Sequence, residues 1–104
     1  MPAMSKPDHS DIDGRLLQVL LAVFEEQSVT RAAQRLDVTQ SAVSHQLDKL
    51  RAIVGDALFV KSGRGIVATA RAEALAASAR SLLDDLHAFA SAGAFDPAAF
   101  EGVV

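Results

Sequence analysis

Apolar residues recur at helical spacing in the first quarter of the chain. Asp13 is of a residue type that caps helices, and apolar residues follow it at i, i+1, i+4, i+5 and i+8. These residues are Leu16, Leu17, Leu20, Leu21 and Phe24. The pattern predicts a helix that ends near Glu26 and turns one face toward a core.

Two further helical patterns follow, separated by a short turn. The first begins at Ser28, another capping type, and ends at Leu36, and Asp37 and Val38 form the turn. The second begins at Thr39, continues to about residue 54 and ends at Gly55. This order predicts a helix-turn-helix, in which residues 39–54 form the recognition helix.

The predicted recognition helix has two different sides. Its apolar side consists of Val43, Leu47, Leu50 and Val54. A separate side, which we call the polar face, consists of Gln40, Ser41, Ser44, His45 and Asp48. Reading base edges in the major groove of DNA requires short hydrogen-bonding side chains of this kind.

A hairpin pattern comes next, and after it a long helix. Residues 58–60 and 66–68 resemble short strands, and the turn 61–65 between them carries the cations Lys61 and Arg64 at its tip. Thr69 then caps a helix that we predict to end at about residue 92, where Gly93 stops it. Apolar residues on this helix alternate spacings of four and three, which favours a partner helix. This apolar stripe consists of Leu75, Ala79, Leu82, Leu86 and Phe89.

These elements predict one mostly α domain with four parts. Residues 1–10 form a disordered leader, 11–68 a winged helix-turn-helix of three helices and a two-stranded wing, and 69–92 a linker and dimerisation helix. Residues 93–104 form a tail that leads toward a domain absent from this chain. A chain of 104 residues is too short to hold a separate catalytic or ligand-binding domain as well.

The charge is distributed unevenly along the chain. The formal net charge is −3, but residues 28–64 carry six basic and three acidic side chains, whereas each flank has two basic and five acidic ones. Positive charge therefore coincides with the helix-turn-helix, as phosphate binding requires.

The sequence contains no Cys, and the apolar run at residues 16–24 is too short to span a membrane. We expect a cytoplasmic protein that has no membrane contact.

No enzyme is expected from this sequence. His9, His45 and His87 lack metal-ligand spacing, and Asp84 and Asp85 are adjacent and point to different parts of a helix surface. The glycines at 63 and 65 follow no long strand and lack the third glycine of a dinucleotide-binding loop. We therefore predict no catalytic residue, no metal and no cofactor.

The chain from about Asp11 through the long helix resembles the N-terminal domain of LysR-type transcriptional regulators. Four motifs in the same order carry the resemblance: Ala-Ala-x-x-Leu at 32–36, Thr-Gln-Ser-Ala-Val-Ser at 39–44, Leu-Phe at 58–59, and Gly-Arg-Gly-Ile at 63–66 before Thr69. The resemblance implies a winged helix-turn-helix, a linker helix paired antiparallel in a homodimer, or in a higher oligomer of a full-length protein, and a separate effector-binding domain. Any small-molecule effector would bind that absent domain.

The resemblance also implies which residues contact double-stranded DNA. Thr39, Gln40, Ser41, Ser44 and His45 would face the major groove, Arg64 would enter a minor groove, and Arg31 or Arg35 would lie near the backbone. Lys61 is predicted from its place in the wing to contact phosphate. For each polar residue the alternative is a solvated side chain without a contact, and for the apolar stripe it is packing against its own domain.

Asp48 departs from the family pattern, in which a basic residue is frequent at this place. A carboxylate near the groove repels phosphate unless it pairs with Arg51 three residues later or accepts a hydrogen bond from a cytosine amino group.

The function expected is sequence-specific DNA binding to a roughly two-fold symmetric operator. The alternative is a helix-turn-helix that binds a protein partner without DNA, favoured by the small basic excess and the acidic flanks.

Overall fold

A computed structural model describes residues 8–95, and side chains through residue 92. A short 3-10 turn is followed by three helices, an antiparallel hairpin and a long last helix. The elements are the turn His9–Asp11, α1 Gly14–Glu26, α2 Val29–Leu36, α3 Gln40–Val54, β1 Phe59–Ser62, β2 Gly65–Ala68 and α4 Ala70–Phe95. The mostly α class and the winged helix-turn-helix order are both as predicted.

The predicted helix starts are confirmed by their capping hydrogen bonds. The side chains of Asp13, Ser28 and Thr39 each accept a hydrogen bond from the backbone N–H three residues later. Thr69 accepts in the same way at the start of α4. Since each helix start is specified within four residues, the short connections of the helix-turn-helix follow from local sequence.

The core lies where α1 packs against the other three helices. The buried apolar residues include most of the predicted sides of α1 and α3, although Leu17, Phe24 and Val54 are only half-buried. They also include residues that periodicity did not select. Those additional residues are Val19, Ala22 and Val23 of α1, Leu58 and Phe59 at the wing, and Ala72 and Ala76 of α4. Contact on two sides of α1 explains why its buried surface is wider than one amphipathic stripe.

The leader prediction is wrong for residues 8–10, and residues 1–7 lie outside the described part of the chain. Asp8 Oδ1 accepts hydrogen bonds from the N–H and the hydroxyl of Ser10, and Asp11 Oδ2 accepts from the N–H of Asp8. Short polar side chains thereby order a turn that has no buried residue.

The prediction that Gly93 stops the last helix is also wrong. The helix continues through this residue to Phe95. A single glycine lowers helix stability by only about 1 kcal/mol, which the preceding long helix tolerates. The rest of the predicted tail, residues 96–104, lies outside the described residues.

The loop between α3 and β1 is tied to the start of α4. Leu58 is fully buried with a φ of +69°, in a three-residue turn that the N–H of Phe59 closes on the carbonyl of Ala57 at 2.8 Å. Asp56 Oδ1 accepts from the N–H of Leu58 at 2.7 Å and from the hydroxyl of Thr69 at 3.0 Å. These bonds hold the base of the wing against the cap of α4.

Candidate nucleic-acid interface

The polar face of α3 is open to solvent. Gln40, Ser41, Ser44 and His45 are all exposed, and Thr39 before them is exposed as well. The Thr39 hydroxyl accepts from the N–H of Ala42 at 3.0 Å, so it contributes to the start of the helix. The opposite side of α3 is anchored in the core by Val43, Leu47 and Leu50. This anchoring presents the first two turns of α3 outward as a rigid polar surface.

The carboxylate of Asp48 is compensated within α3. Arg51 Nη1 lies 2.8 Å from Asp48 Oδ1, and Arg51 Nε donates to the carbonyl of Ala57 at 2.9 Å. Of the two alternatives that the sequence leaves open, pairing with Arg51 is therefore the one formed within this domain. An ion pair at i, i+3 reduces the repulsion between this carboxylate and a phosphate backbone.

The tip of the wing differs from its prediction. β1 and β2 are paired from Phe59 opposite Ala68 to Ser62 opposite Gly65, so that the loop consists only of Gly63 and Arg64. Gly63 has a φ of +58°, which suits the first loop residue of a type II′ turn, and such turns match the twist of a hairpin. As a result Lys61 lies within β1, opposite Ile66, and only Arg64 is at the tip.

Arg64 and Arg31 line one recess between the wing and the start of α2. The other residues around it are Glu26, Gln27, Ser28 and Gly65. A Cβ on Gly65 would lie 3.3 Å from the carbonyl oxygen of Gln27, so glycine permits the close approach of the wing to the α1–α2 turn. Two predicted DNA-contacting cations from separate elements are thus brought together.

Arg35 is engaged within the domain. Its Nη2 lies 2.7 Å from Glu25 Oε1, and its Nη1 lies 3.4 Å from Glu26 Oε2. Hydrogen bonding to Glu25 raises the pKa of Arg35. The pKa of Glu25 is lowered, most by the hydrogen bond from Arg35 and next by the one from Arg80. Contact of Arg35 with a DNA backbone would compete with these pairs, whereas Arg31 is exposed and bounds the recess.

We expect replacement of Glu25 by Gln to lower stability in a pH-dependent way. Because the pKa of Glu25 is lowered by folding, its charge stabilises the fold above the ordinary glutamate pKa, and this contribution is lost as the pH falls through the folded-state pKa. The difference in unfolding free energy from wild type should be at most about 1 kcal/mol at neutral pH, since the pairs are partly solvated. This difference in unfolding free energy should become smaller in acid.

Urea unfolding of both proteins near neutral pH and in acid measures this difference. Glu73→Gln is the matched control, because Glu73 is an exposed carboxylate on α4. A stability difference for Glu25→Gln that stays constant as the pH falls would contradict the role of its charge.

The predicted apolar stripe of α4 is divided between two environments. Ala79 is 1 % exposed and Leu75 is half-buried, so both pack within their own domain, against the prediction that they face a partner helix. Small alanines let α4 approach α1 closely, which explains this packing. Leu82, Leu86 and Phe89 remain exposed at 50 %, 47 % and 80 %.

The exposed part of the stripe borders an apolar groove. The opposite wall comes from the 3-10 turn and the first turn of α1, including Ile12, Gly14 and Leu17. Gly14 lies close to α4, and an added Cβ there would be 3.6 Å from Leu86 Cδ1. Sequence periodicity missed this wall because Ile12 precedes the helix and Leu17 was assigned to the core.

A three-helix fold with an exposed polar recognition helix and a cationic hairpin tip defines a winged helix-turn-helix protein. Residues 15–73 match the model of the bacterial regulatory helix-turn-helix proteins of the lysR family. The chain belongs to this family.

Relatives with known names agree with this assignment. The chain is 42 % identical over 100 residues to the HTH-type transcriptional regulator LeuO of Escherichia coli (strain K12), which covers 96 % of this chain and 32 % of that protein. It is 42 % identical over 86 residues to Nodulation protein D 1 of Rhizobium meliloti (strain 1021), covering 83 % and 27 %. The chain thus spans about a third or less of the length of these relatives.

Solved structures share the fold. Full-length CbnR complexed with its target DNA matches with a TM-score of 0.74 and 32 % identity over 79 % of this chain and 28 % of that chain. The DNA-binding domain of BenM in complex with catB site 1 DNA also has a TM-score of 0.74, with 29 % identity over 79 % and 92 %. Within residues 8–95, no helix is both long and apolar enough to cross a membrane.

Proposed function

We propose that this chain is the sequence-specific DNA-binding domain of a LysR-type transcription regulator and that it binds a roughly two-fold symmetric operator as a homodimer. In this proposal α3 enters the major groove, where Gln40, Ser44 and His45 meet base edges. Arg64 enters the adjacent minor groove, and Arg31 and Lys61 contact phosphates. Thr39 and Ser41 lie beside the first turn of α3 as further polar contacts.

The observation that carries the proposal is the exposed polar face of an otherwise anchored helix. A helix in a domain this small normally exposes mixed charged residues, but the first two turns of α3 expose a Gln, two Ser and a His, with the nearest carboxylate paired to Arg51. The shared recess of Arg31 and Arg64 adds positive charge on the wing side. DNA complexes of CbnR and BenM, whose domains have the same fold, support this assignment.

The exposed half of the apolar stripe supports dimerisation. Leu82, Leu86 and Phe89 follow one side of α4 and stay exposed in the single chain. An antiparallel second copy of α4 would cover these side chains and the groove beside them.

Salt dependence separates this proposal from a protein-binding module. Phosphate contacts by Arg31 and Lys61 in both protomers predict that affinity for an operator selected from random DNA falls about a hundredfold between roughly 50 and 200 mM salt. Arg31→Gln should make this dependence shallower, and Arg71→Gln, which removes an exposed arginine on α4, should not. Affinity that is insensitive to salt would favour the protein-binding alternative.

A further inference from the structure

One carboxylate, that of Glu25, contacts side chains from two other helices. Glu25, in the last turn of α1, uses Oε1 to pair with Arg35 of α2 and Oε2 to accept a hydrogen bond from Nη2 of Arg80 of α4. Arg80 and Glu25 are 55 positions apart in the sequence. The helix-turn-helix and the long helix therefore both bond to the same side chain.

The fully buried part of the contact between α4 and the domain is made by small side chains. Ala72, Ala76 and Ala79 are buried against the core and Leu83 is half-buried. Alanine methyl groups allow a close approach of two helices and project little into the facing surface, so they restrict the direction of α4 less than larger side chains would. A directional charged hydrogen bond at Arg80 supplies the constraint that this contact lacks.

Arg80 lies near the end of the stretch of α4 that is buried on its own domain. Leu83 is the last side chain that is even partly buried, and the described side chains from Asp84 to Ala92 are exposed. At 100° per residue, Arg80 lies about 160° around the helix from Leu82, so it is well away from the exposed half of the apolar stripe. A partner helix on that stripe would leave the Arg80–Glu25 pair in place.

The part of α4 that follows Arg80 acts as a lever, and within it Leu86 still borders Gly14 of α1. The distance from Arg80 to Phe95 along the helix is about 22 Å at 1.5 Å per residue. A change of about 10° in the direction of α4 moves its end by about 4 Å, close to the rise of one base pair of DNA. In a dimer joined through this part of the helix, the same change would displace the second recognition helix along the operator.

We propose that Arg80 and Glu25 are positioning residues that fix the direction of α4 relative to the helix-turn-helix and so determine which spacing of two half-sites the dimer accepts. This inference rests on the proposed function, because it requires a dimer that binds both half-sites. Neither residue contacts DNA in this arrangement. Their effect is on the relation between two half-sites and not on the affinity for one.

The test measures binding to duplexes with two copies of the selected half-site, whose separation changes in steps of one base pair, and to a duplex with a single half-site. Wild type should prefer one separation over its neighbours by about tenfold, and Arg80→Gln should reduce this preference to about threefold or less. Affinity for the single half-site should stay within about twofold of wild type. Arg80→Gln is the first choice because it leaves the pair between Glu25 and Arg35 intact.

Three further variants make the result specific. Arg80→Lys keeps a cation within reach of Glu25 and should restore much of the preference, and Glu25→Gln should weaken the preference as Arg80→Gln does. Arg71→Gln removes an exposed arginine elsewhere on α4 and should leave it unchanged. Circular dichroism and thermal unfolding verify that each variant is folded.

Two results would overturn the inference. If folded Arg80→Gln and Glu25→Gln retain the wild-type spacing preference, the positioning role is wrong while the proposed function stands. If wild type itself binds two half-sites no better than one, the dimeric function fails and the inference fails with it. The affinity of the wild-type protein as a function of half-site separation is enough to distinguish these two failures.

Discussion

The double substitution Gln40→Ala and Arg64→Ala should lower affinity for the selected operator by at least about a hundredfold. A side chain that bonds a base edge in two places contributes about 1–3 kcal/mol of discrimination, and each 1.4 kcal/mol is a factor of ten. Gln40 is exposed in the first turn of α3, and Arg64 is at the tip of the two-residue wing loop. The binding free energies lost with the two substitutions should be nearly additive, because the two side chains belong to separate elements and would reach different grooves.

Fluorescence anisotropy with labelled operator and with a scrambled duplex measures this loss. Gln18→Ala with Arg15→Ala is the matched control, because it removes the same two residue types from exposed positions on α1. The control should bind as wild type does. Affinity of the Gln40 and Arg64 variant that equals that of the control would show that these contacts are wrongly assigned.

The double substitution Leu82→Asp and Leu86→Asp should convert the proposed dimer to a monomer. Both side chains are about half exposed in the single chain, so the change costs the isolated domain little. In a dimer the new carboxylates would be buried without partners in an apolar interface, at a cost of several kcal/mol. The dimer dissociation constant should rise at least about a hundredfold, and operator affinity should fall to that of one half-site.

Light scattering over a range of protein concentrations measures the molar mass of the protein in solution and so distinguishes a dimer from a monomer. Ala88→Asp with Ser91→Asp adds the same two charges to exposed positions on the other side of α4 and should leave the dimer intact. An unchanged mass for the Leu82 and Leu86 variant would contradict the dimer interface on the exposed half of the apolar stripe.

The helix order and the recognition helix could be predicted from sequence because their signals are local. Asp13, Ser28 and Thr39 each bond a backbone N–H three residues away, so the start of a helix depends on only a few neighbouring positions. The amphipathic period of α3 separates its core side from its polar face in the same way. The motifs of the family are also contiguous, which is why they could be recognised in one chain.

Features that depend on distant residues could not be predicted. Ala79 fits a heptad stripe equally well whether it faces a partner helix or α1, and only the packing of α4 on its own domain decides. The pairing of Arg35 and Arg80 with Glu25 has no signature in the spacing, since these residues belong to three helices. The wing register depended on a two-residue loop competing with a longer one, and the twist of the hairpin favoured the shorter loop.

The two-residue loop of the wing has an entropic consequence for DNA binding. Gly63 and Arg64 are closed by paired strands on both sides, and Gly65 packs against the carbonyl of Gln27, so the backbone at Arg64 is already ordered in the free protein. Ordering a flexible arm on binding would cost about 1–2 kcal/mol of backbone entropy for each residue. In this wing that entropy is already lost during folding, so in the proposed DNA complex only the side chain of Arg64 has to lose its freedom.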